Sequence, residues 1–561
     1  MKRNHANERP RVRRNKAVRT VLRAFATALF GILQPLIVHS AEPRAPTPPN
    51  ILVILADDMG FADAGCYGGE IATPNLDGLA ARGVRFTQFY NTARCWPSRA
   101  ALLTGYYPQQ IRMDPPRGRL PEWARLLPHH LRPLGYRSYH SGKWHVNGAP
   151  RTLADGGFDR SYRLEDHDHN FSPTNHWRDD VRLPPVARDS NYYTTVAFSD
   201  FAIECLRDHA TQFPSRPFLV YLAFTVPHFP LQAPPADIAR YRERYLVGWD
   251  VVRQQRFERQ RQLGLVTCTL SEREPATVPH WNLKAGDLKE RIGSNEIAHA
   301  RAWQSLTRDE QQFQATKMAI HAAMIDRMDR EIGRVLDQVK SMGAWSNTVI
   351  LFASDNGASA EFVIRGDGHD PAADPGSGGS YLCLGPGWSS AANTPFRLHK
   401  SWVHEGGIAT PLIVHWPAGL AARGELRHAV GHLIDVVPTL LEIVGAAPEK
   451  KWNGLDVPAL PGRSLVPALA RDVAIPRDFL YFHHDHNRAL RIGDWKLVSK
   501  RPETNDYALY DLSQDRSEQV NLADQNKQRV ASMAERWQEV EAQFRQMASD
   551  PSPSGKSGGR P

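Results

Sequence analysis

The chain has 561 residues, of which 41% are hydrophobic and 23% charged, ordinary proportions for a globular protein that buries a sizeable core. Its formal net charge is +9, but nine of the basic residues and one acid, Glu8, lie within residues 1–41. The rest is close to neutral and offers no basic face to a nucleic acid.

Residues 1–41 have the layout of an export signal. A basic stretch precedes an apolar run over residues 24–38, and the small residues Ser40 and Ala41 follow. The run contains Gln34 and Pro35 and is shorter than the roughly 20 residues of a membrane-spanning helix. A cleaved signal and a periplasmic or extracellular location are therefore expected, with no stable membrane anchor. An uncleaved anchor or a basic arm is the alternative. Arg13-Arg14 could belong to a twin-arginine signal, but the surrounding residues match poorly. Five cysteines occur, at 66, 95, 205, 268 and 383. An odd number in an exported chain singles out one thiol for a task other than pairing.

Residues 42–49 are a short proline-rich linker. The unbroken run Ile51-Leu52-Val53-Ile54-Leu55 predicts a strand buried on both faces, and similar runs recur at 218–224, 348–353 and 411–415. Between them lie helical patterns. The clearest spans 315–339, with Ile325, Met328, Ile332, Val335, Leu336 and Val339 on one face. Strands alternating with helices predict an α/β fold with helices on both sides of the sheet. Residues 237–312 are rich in arginine and read as an inserted subdomain or lid, and 364–395 as a long loop. Four short candidate strands between 478 and 512, then an amphipathic helix over 520–547, predict a smaller α+β domain. The expected division is a larger unit over 42–459, a smaller one over 460–548, and a disordered tail over 549–561.

The chemistry-bearing residues cluster at the predicted strand ends. Asp57-Asp58 follow the first strand; taken alone, the pair reads as a helix cap. Asp355-Asn356 follow the strand at 348–353. Ligands gather at the carboxyl ends of strands in such sheets. Three carboxylates and an amide suit a hard divalent cation such as calcium, and the absence of nitrogen and sulfur ligands from this set argues against zinc. In Cys95-Trp96-Pro97-Ser98-Arg99, Pro97 fits the first turn of a helix that Gly105 ends. Cys95 then stands where backbone N–H groups favour an anion, with Arg99 adding a positive charge. A half-buried structural cysteine and a thiolate nucleophile are both open readings. In an extended segment Lys143 and His145 would face the same way. His228 follows the strand at 218–224, and Lys400 precedes Glu405-Gly406-Gly407. Taken singly, each of these last residues is as readily structural.

Together the motifs resemble the type I sulfatases of the alkaline phosphatase superfamily. Cys95-x-Pro97-Ser98-Arg99 with Leu103-Thr104-Gly105 is similar to that family's signature. The resemblance continues in order through Asp57-Asp58, Gly142-Lys143-Trp144-His145, Pro227-His228, Asp355-Asn356-Gly357 and Lys400 with Glu405-Gly406-Gly407. It then reaches Gly462-x-Ser464-Leu465 and Leu509-Tyr510-Asp511-Leu512 with Asn521-Leu522. Longer blocks around 248–250, 381–388 and 402–411 resemble bacterial arylsulfatases. Ser401 departs from the glycine that many relatives carry there.

The resemblance implies a large, mixed, mostly parallel sheet sandwiched by helices, with a smaller C-terminal domain on an antiparallel sheet. It also implies that a formylglycine-generating enzyme oxidises Cys95 to formylglycine. Calcium is then held by Asp57, Asp58, Asp355, Asn356 and residue 95. The hydrated aldehyde attacks sulfur, favoured by Arg99, while Lys143 and Lys400 neutralise sulfate oxygens. His228, with Lys400, protonates the departing alcohol, and His145 takes the proton that releases sulfate. The substrate is a small aryl or carbohydrate sulfate monoester. Alternatives are a phosphonate monoester or phosphodiester hydrolase of the same superfamily, or a non-catalytic binder of sulfated glycans if Cys95 stays a thiol.

Overall fold

The run that begins at Ile51 is the centre of strand β1 (Asn50–Asp57), buried from Ile51 onward. In the computed structural model the described residues are 48–115, 118–165, 168–500 and 506–549, so the expected export signal and the expected tail beyond Ser549 lie outside them. Alternate side chains of β1 enter different cores. Leu52, Ile54 and Ala56 join one cluster, and Ile51, Val53 and Leu55 join the other. A strand buried on both faces in this way must lie inside a sheet covered by helices on each side.

That sheet has ten strands. The others are β2 (Val84–Tyr90), β3 (Arg137–Lys143), β4 (Arg160–Leu164), β5 (His176–Arg178), β6 (Val181–Arg182), β7 (Phe218–Pro227), β8 (Thr348–Ser354), β9 (Ala409–His415) and β10 (Glu425–His432), in the spatial order β10-β2-β9-β8-β1-β7-β3-β4-β5-β6. The block β8-β1-β7-β3-β4 is parallel throughout. β9 runs against both its neighbours, and β5 against β4. The sheet is thus mixed and mostly parallel, as the sequence predicts. One face is covered by the helices Thr194–Gln212 and Arg308–Ser341, the other by Cys95–Thr104 and Val436–Ile443. The long helix carries its expected apolar face, and its start is capped by a reciprocal pair, Thr307 and Glu310.

After the small hairpin β11 (Lys451–Trp452) and β12 (Leu455–Asp456) come β13 (Leu480–His484), β14 (Asn487–Ile492), β15 (Trp495–Ser499) and β16 (Ala508–Asp511), an antiparallel meander. Tyr481, Leu490, Leu497 and Leu509 pack on Met533, Trp537, Val540 and Phe544 of the helix Lys527–Ser549. Ser549, expected in the tail, ends that helix.

One expectation is corrected. The loop over 364–395 contains the helix Gly385–Ala392, whose Trp388 meets the rings of Trp249 and Trp303 at 5.6 and 5.7 Å. Burial of one indole there outweighs the poor helix propensity of Gly-Pro-Gly. The arginine-rich stretch 237–312 contains Arg256, buried and bonded to Asp63 and Glu70, which ties it to the segment following β1. Among the described residues no helix is long and apolar enough to cross a membrane. All five cysteines are free.

Candidate active site

Three parallel strands end beside one another, and the site is built on their carboxyl ends. β1 ends at Asp57; Asp58 follows in a left-handed turn, φ 65°, so the pair caps no helix. Next door, β8 ends at Ser354, and Asp355 and Asn356 follow it. The Asp58 N–H donates to Asp355 Oδ1 at 3.3 Å, and Asn356 Nδ2 donates to Asp58 Oδ1 at 2.6 Å. β7 ends at Pro227, and His228 Nε2 stands 3.8 Å from Asp58 Oδ2. One ligand atom from each of Asp57, Asp58 and His228 lies within 4.8 Å of the others.

Cys95 is the first residue of the helix Cys95–Thr104, and Gly105, φ 78°, ends it. One turn on, the buried Arg99 places Nε 2.9 Å and Nη2 2.8 Å from Asp355 Oδ2, with Nη2 3.6 Å from Asp57 Oδ2. Its Nη1 donates to the Lys143 carbonyl at 2.9 Å. Lys143 ends β3 after Gly142, whose φ of 125° and approach to Ala223 O, 1.8 Å from any added Cβ, admit only glycine. Lys143 Nζ donates to Asp57 Oδ2 at 2.5 Å. Lys400, fully buried, lies 2.7 Å from Asp58 Oδ1.

The expected alternation of Lys143 and His145 fails, because the strand stops at Lys143 and His145 takes φ 51°. A left-handed turn, not an extended segment, sets its ring 5.8 Å from that of Trp96. Cys95, Arg99, Lys143, His145, His228, Lys400, Asp57, Asp58, Asp355 and Asn356 all fall in this one region.

The charges are unevenly held. Burial opposes ionisation of Asp57, but Lys143, Arg99 and Lys400 outweigh it and keep that carboxyl low. Burial pushes Asp58 up despite Lys400. Burial and then the Asp57 charge push Asp355 up despite Arg99. Clustered acids split in this way are groups that a divalent cation stabilises. Asp57 Oδ1 and Asn356 Oδ1 are buried with no hydrogen-bond partner among the described residues. Two such oxygen acceptors beside Asp58 are donors of the kind that hard cations take.

Glu361 was not legible from sequence. It accepts from Arg94 at 3.0 Å and Trp281 at 2.9 Å and stands 3.3 Å from Lys400 Nζ. Ser401 takes φ 79°, and its Oγ accepts from Arg94 Nη1 at 2.7 Å. The glycine of many relatives suits that conformation; here a hydrogen bond to Arg94 accompanies the serine.

Acids at two neighbouring strand ends, facing a cysteine-headed helix and two buried lysines, give an α/β protein a centre whose side chains suit a cation and an anion. The chain belongs to the sulfatase family. The family described as Sulfatase matches residues 49–446, and that described as N-sulphoglucosamine sulphohydrolase, C-terminal, matches 396–543. It is 32% identical to an uncharacterized sulfatase of Schizosaccharomyces pombe over 88% of this chain and 94% of that protein. It is 30% identical to an arylsulfatase of Klebsiella aerogenes over 78% and 96%. The structure of Ps i-CgsB in complex with k-i-k-neocarrahexaose shares the fold, with TM-score 0.62 and 23% identity over 90% of this chain and 94% of that one. The protein is an enzyme that acts on sulfate esters, with the alkaline phosphatase-like architecture of its relatives.

Proposed function

We propose that the protein is an exported, calcium-dependent sulfate monoester hydrolase whose nucleophile is residue 95, oxidised from cysteine to formylglycine by a formylglycine-generating enzyme. The observation that carries this reading is the pair of unpartnered buried oxygens, Asp57 Oδ1 and Asn356 Oδ1, beside a cysteine that starts a helix. Asp57, Asp58, Asp355 and Asn356, with residue 95, would hold calcium, which supplies charge compensation. The hydrated aldehyde supplies an oxygen nucleophile and a second hydroxyl. Arg99, fixed by Asp355, sets positive charge one turn from residue 95. Lys143 and Lys400, both buried, balance the charge on sulfate oxygens. His228 gives its proton to the departing alcohol oxygen, and His145 accepts a proton from the hydroxyl of residue 95. The leaving group is an aryl alcohol or a carbohydrate.

Removal of calcium tests the metal directly. Chelated protein is expected to lose turnover of an aryl sulfate and to melt at a lower temperature, and calcium to restore both. Asp355→Ala is expected to weaken calcium binding together with turnover. Full activity in rigorously metal-free protein contradicts the proposal.

A further inference from the structure

Beside residue 95 opens a cavity of about 590 Å³, within the range of small-ligand sites. Arg94, Trp96, Asp114, Trp281 and Glu361 line its wall, and the C-terminal sheet contributes His484. Arg94 lies between the two indoles, its guanidinium carbon 5.3 Å from the Trp96 ring and 5.4 Å from the Trp281 ring. Trp96 is adjacent to residue 95 in sequence, and its ring is flanked by His145 at 5.8 Å and His484 at 5.4 Å.

His484 is the last residue of β13 and pairs with Asn487 across the two-residue turn Asp485-His486, both of positive φ, the geometry of a tight hairpin. The turn delivers a buried imidazole to the cavity wall. Its Nδ1 lies 2.6 Å from Asp114 Oδ2. A carboxylate only accepts, so Nδ1 carries the hydrogen, and Nε2 of the neutral ring is an acceptor. Among the described residues Nε2 has no hydrogen-bond partner.

We propose that His484, oriented by Asp114, is a specificity-determining residue that binds a hydroxyl of a saccharide leaving group seated against Trp96 and Trp281. This rests on the sulfatase reading above. The indoles do not discriminate, because an aryl ring and the face of a sugar both stack on them. The imidazole does. A hydroxyl donates to Nε2, whereas an aryl C–H seated over it covers the acceptor and leaves it unmet, the asymmetry by which sites select polar substrates. The subsite needs segments distant in sequence, because the acid precedes β3 and the histidine ends β13.

The test compares matured wild type, His484→Gln and Asp114→Asn on 4-nitrophenyl sulfate and on a panel of monosulfated hexoses and hexosamines. Binding of the same sugars to Cys95→Ala protein, with and without His484→Gln, is measured by calorimetry, and the thermal midpoint of every variant is recorded. Wild type is expected to hydrolyse at least one sugar sulfate. His484→Gln is expected to lower kcat/KM on that sugar about 10–100-fold, mainly through KM, a loss at least about tenfold larger than on the aryl sulfate. Asp114→Asn should shift both substrates in the same directions, and calorimetry should report a matching loss of sugar affinity. Equal losses on the two substrates, an unaffected sugar, or a wild type that hydrolyses aryl but no sugar sulfates overturns the proposal. Absence of turnover on every substrate sinks the sulfatase reading instead, and the calorimetry then still decides whether His484 binds the sugar.

Discussion

His228 holds its ring between two fixed partners, with Nδ1 2.5 Å from the Phe229 carbonyl and Nε2 3.8 Å from Asp58. The carbonyl only accepts, so Nδ1 carries a hydrogen, and Nε2 is the atom that delivers a proton toward the site when the ring is protonated on both nitrogens. Its loss should therefore hurt substrates unequally, because a sugar alcohol needs a proton as it leaves and a nitrophenolate does not. His228→Ala is expected to lower turnover of an alkyl or sugar sulfate by about 10²–10⁴-fold, far more than that of 4-nitrophenyl sulfate, with the thermal midpoint little changed. Equal losses with a large drop in midpoint would make the residue structural. The acids, the cysteine and Lys143 at this scale were readable because each ends or follows a strand or opens a helix. Glu361 was not, since it stands in irregular chain and its contacts, to Lys400, Arg94 and Trp281, are distant in sequence. His145 was placed by the wrong rule, as strand alternation ends one residue after Gly142.

Glu405, which opens the short helix Glu405–Ile408, joins the two sheets. It accepts from Lys496 of β15 at 3.0 Å, Arg516 at 2.9 Å and Tyr90 of β2 at 2.9 Å. Lys496 also meets Glu518 at 2.9 Å, and all these charges are buried. Removing one partner leaves the others buried without compensation. Lys496→Met is therefore expected to destabilise the protein by about 3–5 kcal/mol, measured by denaturant unfolding, whereas Lys500→Met, at an exposed neighbouring position, should be close to neutral. Equal stabilities of the two variants would contradict this view of the junction. β1, β7, β8 and β9 were visible in the sequence because strands buried on both faces read as continuous apolar runs. β2 and β10 were not, since Arg85, Gln88, Arg427 and His428 interrupt them. The helix Gly385–Ala392 was hidden by its glycines and proline, and only the burial of Trp388 accounts for it.

Across the whole molecule, several histidines are buried neutral. Burial pushes His140, His399 and His432 down to about 3, aided at His399 by Arg253 and at His432 by Arg477. Their folded values lie below the ordinary 6.5. The unfolded chain therefore takes up protons that the native one refuses, and stability is lost as the pH falls from about 6.5 toward about 3. Each such ring contributes up to about 1.4 kcal/mol per pH unit in that window. The thermal midpoint in calcium buffer is expected to fall steeply between about pH 7 and about pH 5. His432→Asn, which retains an acceptor for the Ile434 N–H, should reduce the fall. A midpoint unchanged across that interval would contradict the assignment. The mixed sheet and its C-terminal companion were legible from the order of strands and helices. Strand order and the packing of the arginine-rich stretch depend on contacts distant in sequence, such as Arg256 to Asp63, which no local pattern reveals.

The central claim is that residue 95 is no longer a cysteine in the working enzyme. Mass spectrometry of the peptide containing it, taken from protein whose turnover of an aryl sulfate has just been measured, tests that most directly. The account predicts an aldehyde or its hydrate at residue 95, in a fraction that tracks specific activity, and a Cys95→Ala protein that folds but is nearly inactive. An unmodified thiol throughout a fully active sample would contradict it.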